Sequence, residues 1–206
     1  MKTIYQSNVV PADVIAHCID DYNHRAQYQT TTMNKAPPGA SLELLHGFCE
    51  QATGHKLKYQ SGNFYKHTVP YLPHTDYRTL QDNTINVVVP LHYTESLPHL
   101  VIFDQLWKQD SLTWCMHLPV QYFEINIGVR GSPHEYPVDN LTGQGIDPGL
   151  HLNYLSMYPR ECLYGLSGNA YAFEPGSIIV FDNQRIHCTS SFTGEKLGIS
   201  LRFNIL

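Results

Sequence analysis

The sequence of 206 residues is poor in charge, and positive charge is the scarcer kind. Lys and Arg together number 13 against 18 Asp and Glu, charged residues make up 15% of the chain, and the formal net charge is −5. Proteins that bind a phosphate backbone cluster Lys and Arg on one face, and the sequence has no such stripe. No apolar run approaches the roughly 18 residues of a membrane-spanning helix. We therefore expect neither a nucleic acid nor a membrane as a partner.

Several common motifs are missing as well. The five Cys are an odd number and contain no Cys-x-x-Cys pair, which argues against a disulfide framework and against a zinc ribbon. The absence of a Gly-x-Ser-x-Gly segment argues against a serine hydrolase with a nucleophile elbow. The first residues contain Lys2 but lead into no apolar block of roughly 7 to 15 residues, so we expect no secretory signal and predict a cytoplasmic protein.

What the chain does contain suits a single domain over residues 1–206. Hydrophobic residues make up 42% and aromatic residues 12%, enough for a core that needs no disulfide or structural metal. Residues 1–56 form a predicted helical preface. Apolar residues recur at helical spacing over residues 11–25, and a second helix is predicted from a capping Ser41 to a terminating Gly54.

From residue 57 onward the pattern changes to short β-rich runs separated by Pro, Gly, Asn and Asp. The clearest runs are Thr84–Val89, Leu100–Phe103, Ser177–Phe181 and Leu197–Phe203. No helix-length crossover separates the last two runs, which favours antiparallel over parallel pairing. We therefore predict an all-β core over residues 57–206, a barrel or jelly roll with the short N-terminal helices packed outside.

A long segment over residues 128–168 interrupts the β pattern. It is rich in Pro and Gly, and connections of this length in compact domains are usually functional loops or lids. We predict that it is an insertion beside the active site. Arg130 and Arg160 lie in it, and either could bind an anionic group of a substrate. The alternative is that both are ordinary solvated loop charges.

Histidine is abundant, with 12 in the chain. His74-Thr75-Asp76 places an imidazole and a carboxylate two residues apart, on the same face of an extended strand. A strand–turn–strand pattern from Glu174 to His187 delivers a third candidate ligand. Two His and one carboxylate form the facial set that binds non-haem Fe(II) and leaves open positions. We predict His74, Asp76 and His187 as metal ligands.

Arg202 is the second unusual residue. It lies in the last apolar run, flanked by Leu201 and Phe203. A guanidinium buried there is explained if it forms a two-pronged hydrogen bond with a carboxylate. That carboxylate is either an Asp or Glu of the chain or the distal end of a bound dicarboxylic acid.

In their order along the chain, His74, Asp76, His187 and Arg202 resemble the signature of the iron(II)/2-oxoglutarate-dependent oxygenase superfamily. The resemblance covers roughly residues 63–203. It implies a double-stranded β-helix of the cupin type, with Fe(II) as cofactor, 2-oxoglutarate as cosubstrate and dioxygen as co-reactant. It also implies that the Arg binds the tail carboxylate of 2-oxoglutarate, and the carboxylate ligand argues against the halogenating branch.

The resemblance implies further cosubstrate residues. Asn63 and Tyr65 lie upstream of the first ligand at a distance similar to that of an Asn and a Tyr in several branches, although the Gly that usually follows that Tyr is missing. Lys196, nine residues after His187, has a spacing that is also seen in the family. The Thr-Gly-Glu before Lys196 is typical of an exposed turn, so we favour Arg202 for the tail carboxylate.

The implied reaction is hydroxylation of an unactivated C–H bond in a small molecule or an amino-acid-like substrate, with release of succinate and CO2. Two other functions stay open. The chain could be a cupin-type metalloenzyme that does not use 2-oxoglutarate, or a non-enzymatic jelly-roll module with a binding or structural role. Neither the identity of the substrate nor the oligomeric state can be read from the sequence.

Overall fold

The computed structural model describes residues 1–26, 39–71, 73–75, 83–107, 114–115, 129–130 and 138–206. The strands are β1 (Ile4–Gln6), β2 (Leu57–His67), β3 (Thr84–Tyr93), β4 (His99–Trp107), β5 (Trp114–Cys115), β6 (Val129–Arg130), β7 (Val138–Asp139), β8 (Gly168–Ala172), β9 (Ile178–Asp182), β10 (Arg185–Thr189) and β11 (Lys196–Ile205). The helices are α1 (Ala12–Ala26), α2 (Gly39–Thr53) and α3 (Pro148–Leu150), with a π turn (His151–Leu155) and a 3₁₀ turn (Arg160–Leu163) after them. None of these helices is long and apolar enough to cross a membrane.

Two antiparallel sheets form the body of the protein. The major sheet has five strands in the order β1-β9-β3-β11-β2, and the minor sheet contains β10, β4 and β7, with β8 also paired to β4. A separate pair, β5 and β6, is parallel. The chain passes from one sheet to the other at the tight turn between β9 and β10, because β9 pairs with β3 whereas β10 pairs with β4. The predicted all-β jelly roll is confirmed.

Three hydrophobic clusters show how the layers pack. One fills the space between the outer face of the major sheet and helices α1 and α2. A second lies on the outer face of the minor sheet. The third lies between the two sheets, in what we call the barrel interior, and its buried members are Val88, Leu100, Ile102, Phe173, Ile179 and Phe181.

The two predicted N-terminal helices are confirmed. α1 covers the predicted segment 11–25, and α2 ends at Gly54, whose φ of 70° and N–H bond to the Glu50 carbonyl (2.9 Å) close the helix. Ser41 lies within the first turn of α2 rather than before it. Its hydroxyl donates to the Asp21 carboxylate of α1 at 2.7 Å, so the side chain joins the two helices.

The N-terminal segment also contains a strand. β1 pairs antiparallel with β9, with Tyr5 opposite Ile179, and forms one edge of the major sheet. The preface over residues 1–56 is therefore not purely helical. Three half-buried residues are too few for an alternating pattern to identify a strand, and β1 is held by its partner rather than by its own sequence.

Within the long insertion, Val138 and Asp139 extend the minor sheet as β7, and residues 140–166 form an outer layer on that sheet. Its buried side chains Ile146, Leu155 and Leu163 pack on Val101 and Phe103 of β4, on the face that points away from the barrel interior. These residues therefore complete a hydrophobic core. Residues 131–137 lie outside the described part of the chain, and the role of the segment 128–168 as an active-site insertion or lid remains a prediction.

Candidate active site

Two of the three predicted metal ligands lie side by side. His74 and His187 form an antiparallel bridge, in which each backbone N–H donates to the other's carbonyl, at 3.0 and 2.9 Å. Their ring centroids are 4.3 Å apart. His187 is 4% exposed and His74 is half-buried. The two imidazoles come from residues far apart in sequence and are close enough to bind one ion.

The hydrogen bond of the His187 ring fixes its tautomer. Nδ1 lies 3.1 Å from the carbonyl oxygen of Arg185, and since a carbonyl only accepts, Nδ1 carries the proton. The lone pair is then on Nε2. A backbone carbonyl that holds the second ring nitrogen is the usual support of a metal-binding histidine. The Phe181 ring packs against the imidazole at 4.7 Å and limits its rotation.

Asp76 lies outside the described residues. Within the described ranges, no group of three His, Cys, Asp or Glu side chains that could hold a metal is present. The predicted ligand set is therefore seen only as its two histidines. Thr75, between His74 and Asp76, is 2% exposed, which places the chain leaving His74 in the protein interior.

Lys196 is buried beside this site. The Thr193-Gly194-Glu195 segment is a turn, as expected, but β11 begins at Lys196 and turns its side chain into the barrel interior, where it is only 2% exposed. The expectation that Lys196 is an exposed turn residue is wrong. The residue type and the preceding turn suggested that Lys196 is exposed. Contacts with distant strands bury its side chain instead.

The ammonium of Lys196 has one close polar neighbour and an aromatic surround. Nζ donates to the Thr189 hydroxyl at 2.8 Å, and the rings of Phe173, Tyr65 and Phe192 have their centroids within 4.9 to 5.8 Å of it. No carboxylate in the described ranges forms an ion pair with it. Burial lowers the pKa of Lys196 to about 7. A cation in such a pocket is costly unless an anion joins it.

Arg202 lies on the same strand and the same face as Lys196. β11 alternates between an outer face, with Leu201 and Phe203 in the helix-covered cluster, and an inner face. The guanidinium is half-buried and its Nη1 donates to the Ser61 hydroxyl of β2 at 3.2 Å. The structure thus places Arg202 in the barrel interior, six residues along β11 from Lys196.

The two other predicted cosubstrate residues lie on β2. Tyr65 pairs with Gly198 of β11, and its ring covers the Lys196 ammonium at 5.5 Å, so it lines the same pocket. Asn63 pairs with Ser200 and is exposed, since β2 is an edge strand. Gly198 is required here, because a Cβ at that position would lie 2.7 Å from the Tyr65 hydroxyl and 2.8 Å from the Phe173 ring.

His67 and Tyr71, which sequence reasoning missed, connect the lysine pocket to the histidine pair. The rings follow one another from Tyr65 to His67 (5.2 Å), to Tyr71 (5.3 Å) and to His74 (4.5 Å). Burial, with Lys196 and His74 nearby, lowers the pKa of His67 to about 3, so its ring is neutral. The sequence did contain a signal for His67: it lies two residues after Tyr65 on a strand, and residues at this spacing lie on the same face of the sheet.

Of the two predicted substrate residues of the insertion, Arg160 is not brought to the histidine pair. Arg160 is exposed in the outer layer, where its Nη2 donates to the Ile146 carbonyl at 3.3 Å. Arg130 belongs to β6, which pairs with β5, and its side chain lies outside what the structure describes. A substrate role for Arg130 remains a prediction, whereas the contact of Arg160 fastens the outer layer.

Neither a protein-family model nor a curated protein sequence matches the chain. Solved structures do match. The chain is similar to a prolyl-4-hydroxylase of Pseudomonas putida, with 14% identity, a TM-score of 0.51, and coverage of 99% of this chain and 92% of that one. It is similar to SnoK, a non-haem alpha-ketoglutarate-dependent carbocyclase from nogalamycin biosynthesis, with 9% identity, a TM-score of 0.57, and coverage of 98% and 79%.

A third similar structure is HygX of Streptomyces hygroscopicus with nickel and 2-oxoglutarate bound, with 11% identity, a TM-score of 0.52, and coverage of 98% of this chain and 82% of that one. At identities this low the likeness shows the fold alone. The chain therefore has the same jelly-roll fold as these three proteins.

Proposed function

We propose that this protein is an Fe(II)/2-oxoglutarate-dependent dioxygenase. His74, Asp76 and His187 would bind the iron, and Lys196 would bind the distal carboxylate of 2-oxoglutarate. The observation that carries the proposal is the buried ammonium of Lys196 in contact with Thr189, two residues from His187 on the same face of β10. 2-Oxoglutarate needs two binding groups. A metal ion at the histidine pair would be chelated by one end, and a fixed cation further along the barrel would bind the distal carboxylate.

The donor set fits Fe(II). Two imidazole nitrogens and one carboxylate oxygen suit a borderline ion better than Mg(II) or Ca(II), which prefer oxygen ligands. The proton on Nδ1 of His187 leaves Nε2 for the metal. Asp76 would supply the carboxylate, two residues after His74. When bound, the iron and 2-oxoglutarate supply the chemistry: dioxygen is consumed, 2-oxoglutarate becomes succinate and CO2, and a substrate C–H becomes C–OH.

Burial favours Lys196 over Arg202 as the cosubstrate anchor. Lys196 is 2% exposed and closed in by three aromatic rings, whereas Arg202 is half-buried beside the edge strand. A cosubstrate that binds beneath the substrate requires the deeper cation. Charge-assisted hydrogen bonds in such a dry pocket are among the stronger ones. The spacing of nine residues after His187 agrees with the family pattern noted above.

The residues around the anchor would position the cosubstrate and keep water away. Tyr65 lies over the ammonium and opposite Gly198, so the floor of the pocket is flat, and its hydroxyl would hydrogen-bond the diacid. Phe173 and Phe181 are both fully buried and close the interior to solvent. A dry, preorganised pocket strengthens every polar contact made inside it. The substrate is expected to be a small molecule.

An anaerobic titration tests the proposal. Metal-free protein receives Fe(II) and then 2-oxoglutarate, and the weak visible charge-transfer absorption of the chelate is recorded. We expect the band in the wild type and its loss in His187→Ala. Lys196→Met should need about 10- to 150-fold more 2-oxoglutarate, as expected for hydrogen bonds to a charged group. Arg202→Met and the matched lysine variant Lys66→Met should titrate like the wild type.

Each other result selects a different function or anchor. If Arg202→Met alone raises the required concentration, the tail carboxylate binds Arg202, as the sequence favoured. If Fe(II) binds but 2-oxoglutarate produces no band, the chain is a metalloenzyme of the cupin kind with another cosubstrate. If Fe(II) does not bind, the histidine pair is structural and the non-enzymatic jelly roll replaces this proposal.

A further inference from the structure

Resting on the proposed function, we propose that His67 is a further binding residue for the cosubstrate, and that its uncharged imidazole donates a hydrogen bond from Nδ1 to the distal carboxylate of 2-oxoglutarate. Lys196 would supply the positive charge for the same carboxylate. His67 is outside the ordered set of His74, Asp76, His187 and Arg202 in the sequence. Its place in the sheet, its ring neighbours and its buried ring nitrogen support this role.

His67 is the direct neighbour of Lys196 across the major sheet. It is the last residue of β2, Lys196 is the first residue of β11, and the antiparallel register pairs the two. The side chains of directly opposed residues lie on the same face, with their Cβ atoms about 4.5–5.5 Å apart. Because the Lys196 side chain points into the barrel interior and is 2% exposed, the His67 ring lies on the interior face as well.

The rings around His67 connect the lysine pocket to the predicted metal ligand. Its centroid lies 5.2 Å from that of Tyr65, whose ring covers the Lys196 ammonium at 5.5 Å. On its other side His67 stacks on Tyr71 at 5.3 Å, with 16° between the ring planes, and Tyr71 meets the His74 ring at 4.5 Å. The strand pairing puts His67 at the lysine end of this series, where the distal carboxylate would bind.

The His67 ring has a buried nitrogen atom that lacks a partner. Nδ1 is shielded from solvent and has no hydrogen-bond partner among the residues that the structure describes. A buried polar group without a partner costs about 1–3 kcal/mol, and nearly all such groups in native proteins are paired. A ligand that binds beside Lys196 would provide an acceptor for this nitrogen.

A neutral imidazole suits a carboxylate that already has a cation. Burial, with Lys196 and His74 nearby, lowers the pKa of His67 to about 3, so the ring is uncharged and only one of its nitrogens carries a proton. A neutral donor adds a hydrogen bond to the carboxylate without placing a second positive charge beside the ammonium. The pocket would thus match one negative charge with one cation and a neutral N–H group.

A comparison of two 2-oxo acids tests this role. Protein loaded anaerobically with Fe(II) is titrated with 2-oxoglutarate and with 2-oxopentanoate, which carries a methyl group in place of the distal carboxylate. The charge-transfer band reports the binding of both acids. We expect His67→Phe, which keeps a flat ring, to need about 10- to 150-fold more 2-oxoglutarate, as for a lost hydrogen bond to a charged group, with 2-oxopentanoate unchanged. His67→Asn, whose amide N–H can replace Nδ1–H, should recover part of the affinity.

The controls separate this inference from the proposed function. His92→Phe, which changes an exposed histidine near the end of β3, should bind both acids like the wild type. If His67→Phe binds 2-oxoglutarate as tightly as the wild type, or loses affinity for both acids equally, the hydrogen bond to the carboxylate is absent and this inference alone is overturned. If the wild type gives no band with 2-oxoglutarate, the proposed function itself fails.

A second measurement applies to the wild type and holds even if His67→Phe does not fold. Protein with 15N-labelled histidine is loaded with Zn(II), and the ring N–H signal of His67, assigned with His67→Asn, is followed as either acid is added. We expect a solvent-protected Nδ1–H signal with 2-oxoglutarate only. The same signal with 2-oxopentanoate, or none with 2-oxoglutarate, would overturn the inference.

Discussion

The two faces of β11 differ in everything except the backbone that carries them. Leu197, Ile199, Leu201 and Phe203 point outward, are at most 6% exposed, and form the middle of the cluster beneath α1 and α2. The side chains in between point into the barrel, and they are Lys196, Gly198, Ser200 and Arg202. One strand thus contributes a purely apolar row to the core and a row of cations and small residues to the site.

Successive side chains of β11 point to opposite faces of the sheet. The outward face of this one strand therefore contributes to stability, whereas its inward face contributes to binding. Burial of the outer row supplies hydrophobic free energy. The inner row adds little of this kind, and its buried ammonium opposes folding. Substitutions of adjacent residues should therefore change mainly stability on one face and mainly binding on the other. Four experiments test this division.

The largest expected effect is on the outer face. Phe203→Ala removes a fully buried ring that stacks on His46 and packs against Tyr59. We expect the free energy of unfolding to fall by about 3–5 kcal/mol, as for other large-to-small core changes. Chemical denaturation measures this. Ser200→Ala, on the inner face, is the matched control and should change stability by less than about 0.5 kcal/mol. Equal losses in the two variants would contradict the division.

The next effect belongs to the floor of the lysine pocket. Gly198→Ala places a methyl group 2.7 Å from the Tyr65 hydroxyl and 2.8 Å from the Phe173 ring. We expect a loss of about 1–3 kcal/mol from overpacking, together with weaker 2-oxoglutarate binding. Denaturation and the anaerobic titration measure the two parts. Gly47→Ala, in α2, meets no atom within 4 Å and should instead raise stability by about 0.5–1 kcal/mol.

A smaller effect is the pH dependence that Lys196 gives to the ligand-free protein. Burial lowers its pKa to about 7, whereas an unfolded lysine titrates near 10.4. Between these values the unfolded chain binds more protons, so the free energy of unfolding should rise with pH, by at most about 1.4 kcal/mol per pH unit. Stability curves of the wild type and Lys196→Met isolate this part. If their difference does not change between pH 7 and 10, the ammonium is solvated rather than buried.

The smallest effect is expected just outside the site. Lys66 and Glu195 form an ion pair of 2.8 Å at the start of β11, and both side chains are about a third or more exposed. Such pairs contribute about 0–1 kcal/mol, and salt screens them. A double-mutant cycle with Lys66→Gln and Glu195→Gln should give a coupling energy in this range. A coupling energy above about 2 kcal/mol would mean that these two side chains are more rigidly positioned than their solvent exposure indicates.

Much of the fold was predictable because it follows local patterns. The helical spacing over residues 11–25 and the β-rich run 197–203 correspond to α1 and β11. Long periodic segments carry their own signal. The strand–turn–strand pattern before His187 was equally local and correctly gave β9 and β10. The short strand β1 was missed because only its pairing with β9 defines it.

The site was less predictable, because its contacts are not local. Spacing along the predicted strands identified His74 and His187, the two histidines that form a bridge in the structure. The environment of Lys196 depends on Thr189, Phe173 and Tyr65, which come from three other parts of the chain. A local turn signal before the lysine therefore pointed to solvent. For Arg202 the sequence identified an unusual cation in an apolar run, and the strand registers place it between Ser61 and Asn86.

The position of β11 also determines when the major sheet can form during synthesis of the chain. It lies between β3 and β2 in the major sheet, although it follows every other described strand in the chain. During synthesis β2 has no neighbour in that sheet until residues 196–205 have emerged, and β3 waits with one edge open. Such distant pairing slows folding and leaves strand edges exposed to other chains. The strand that closes the sheet also carries Lys196 and Arg202, so a nascent chain acquires its fold and both cations in one late step.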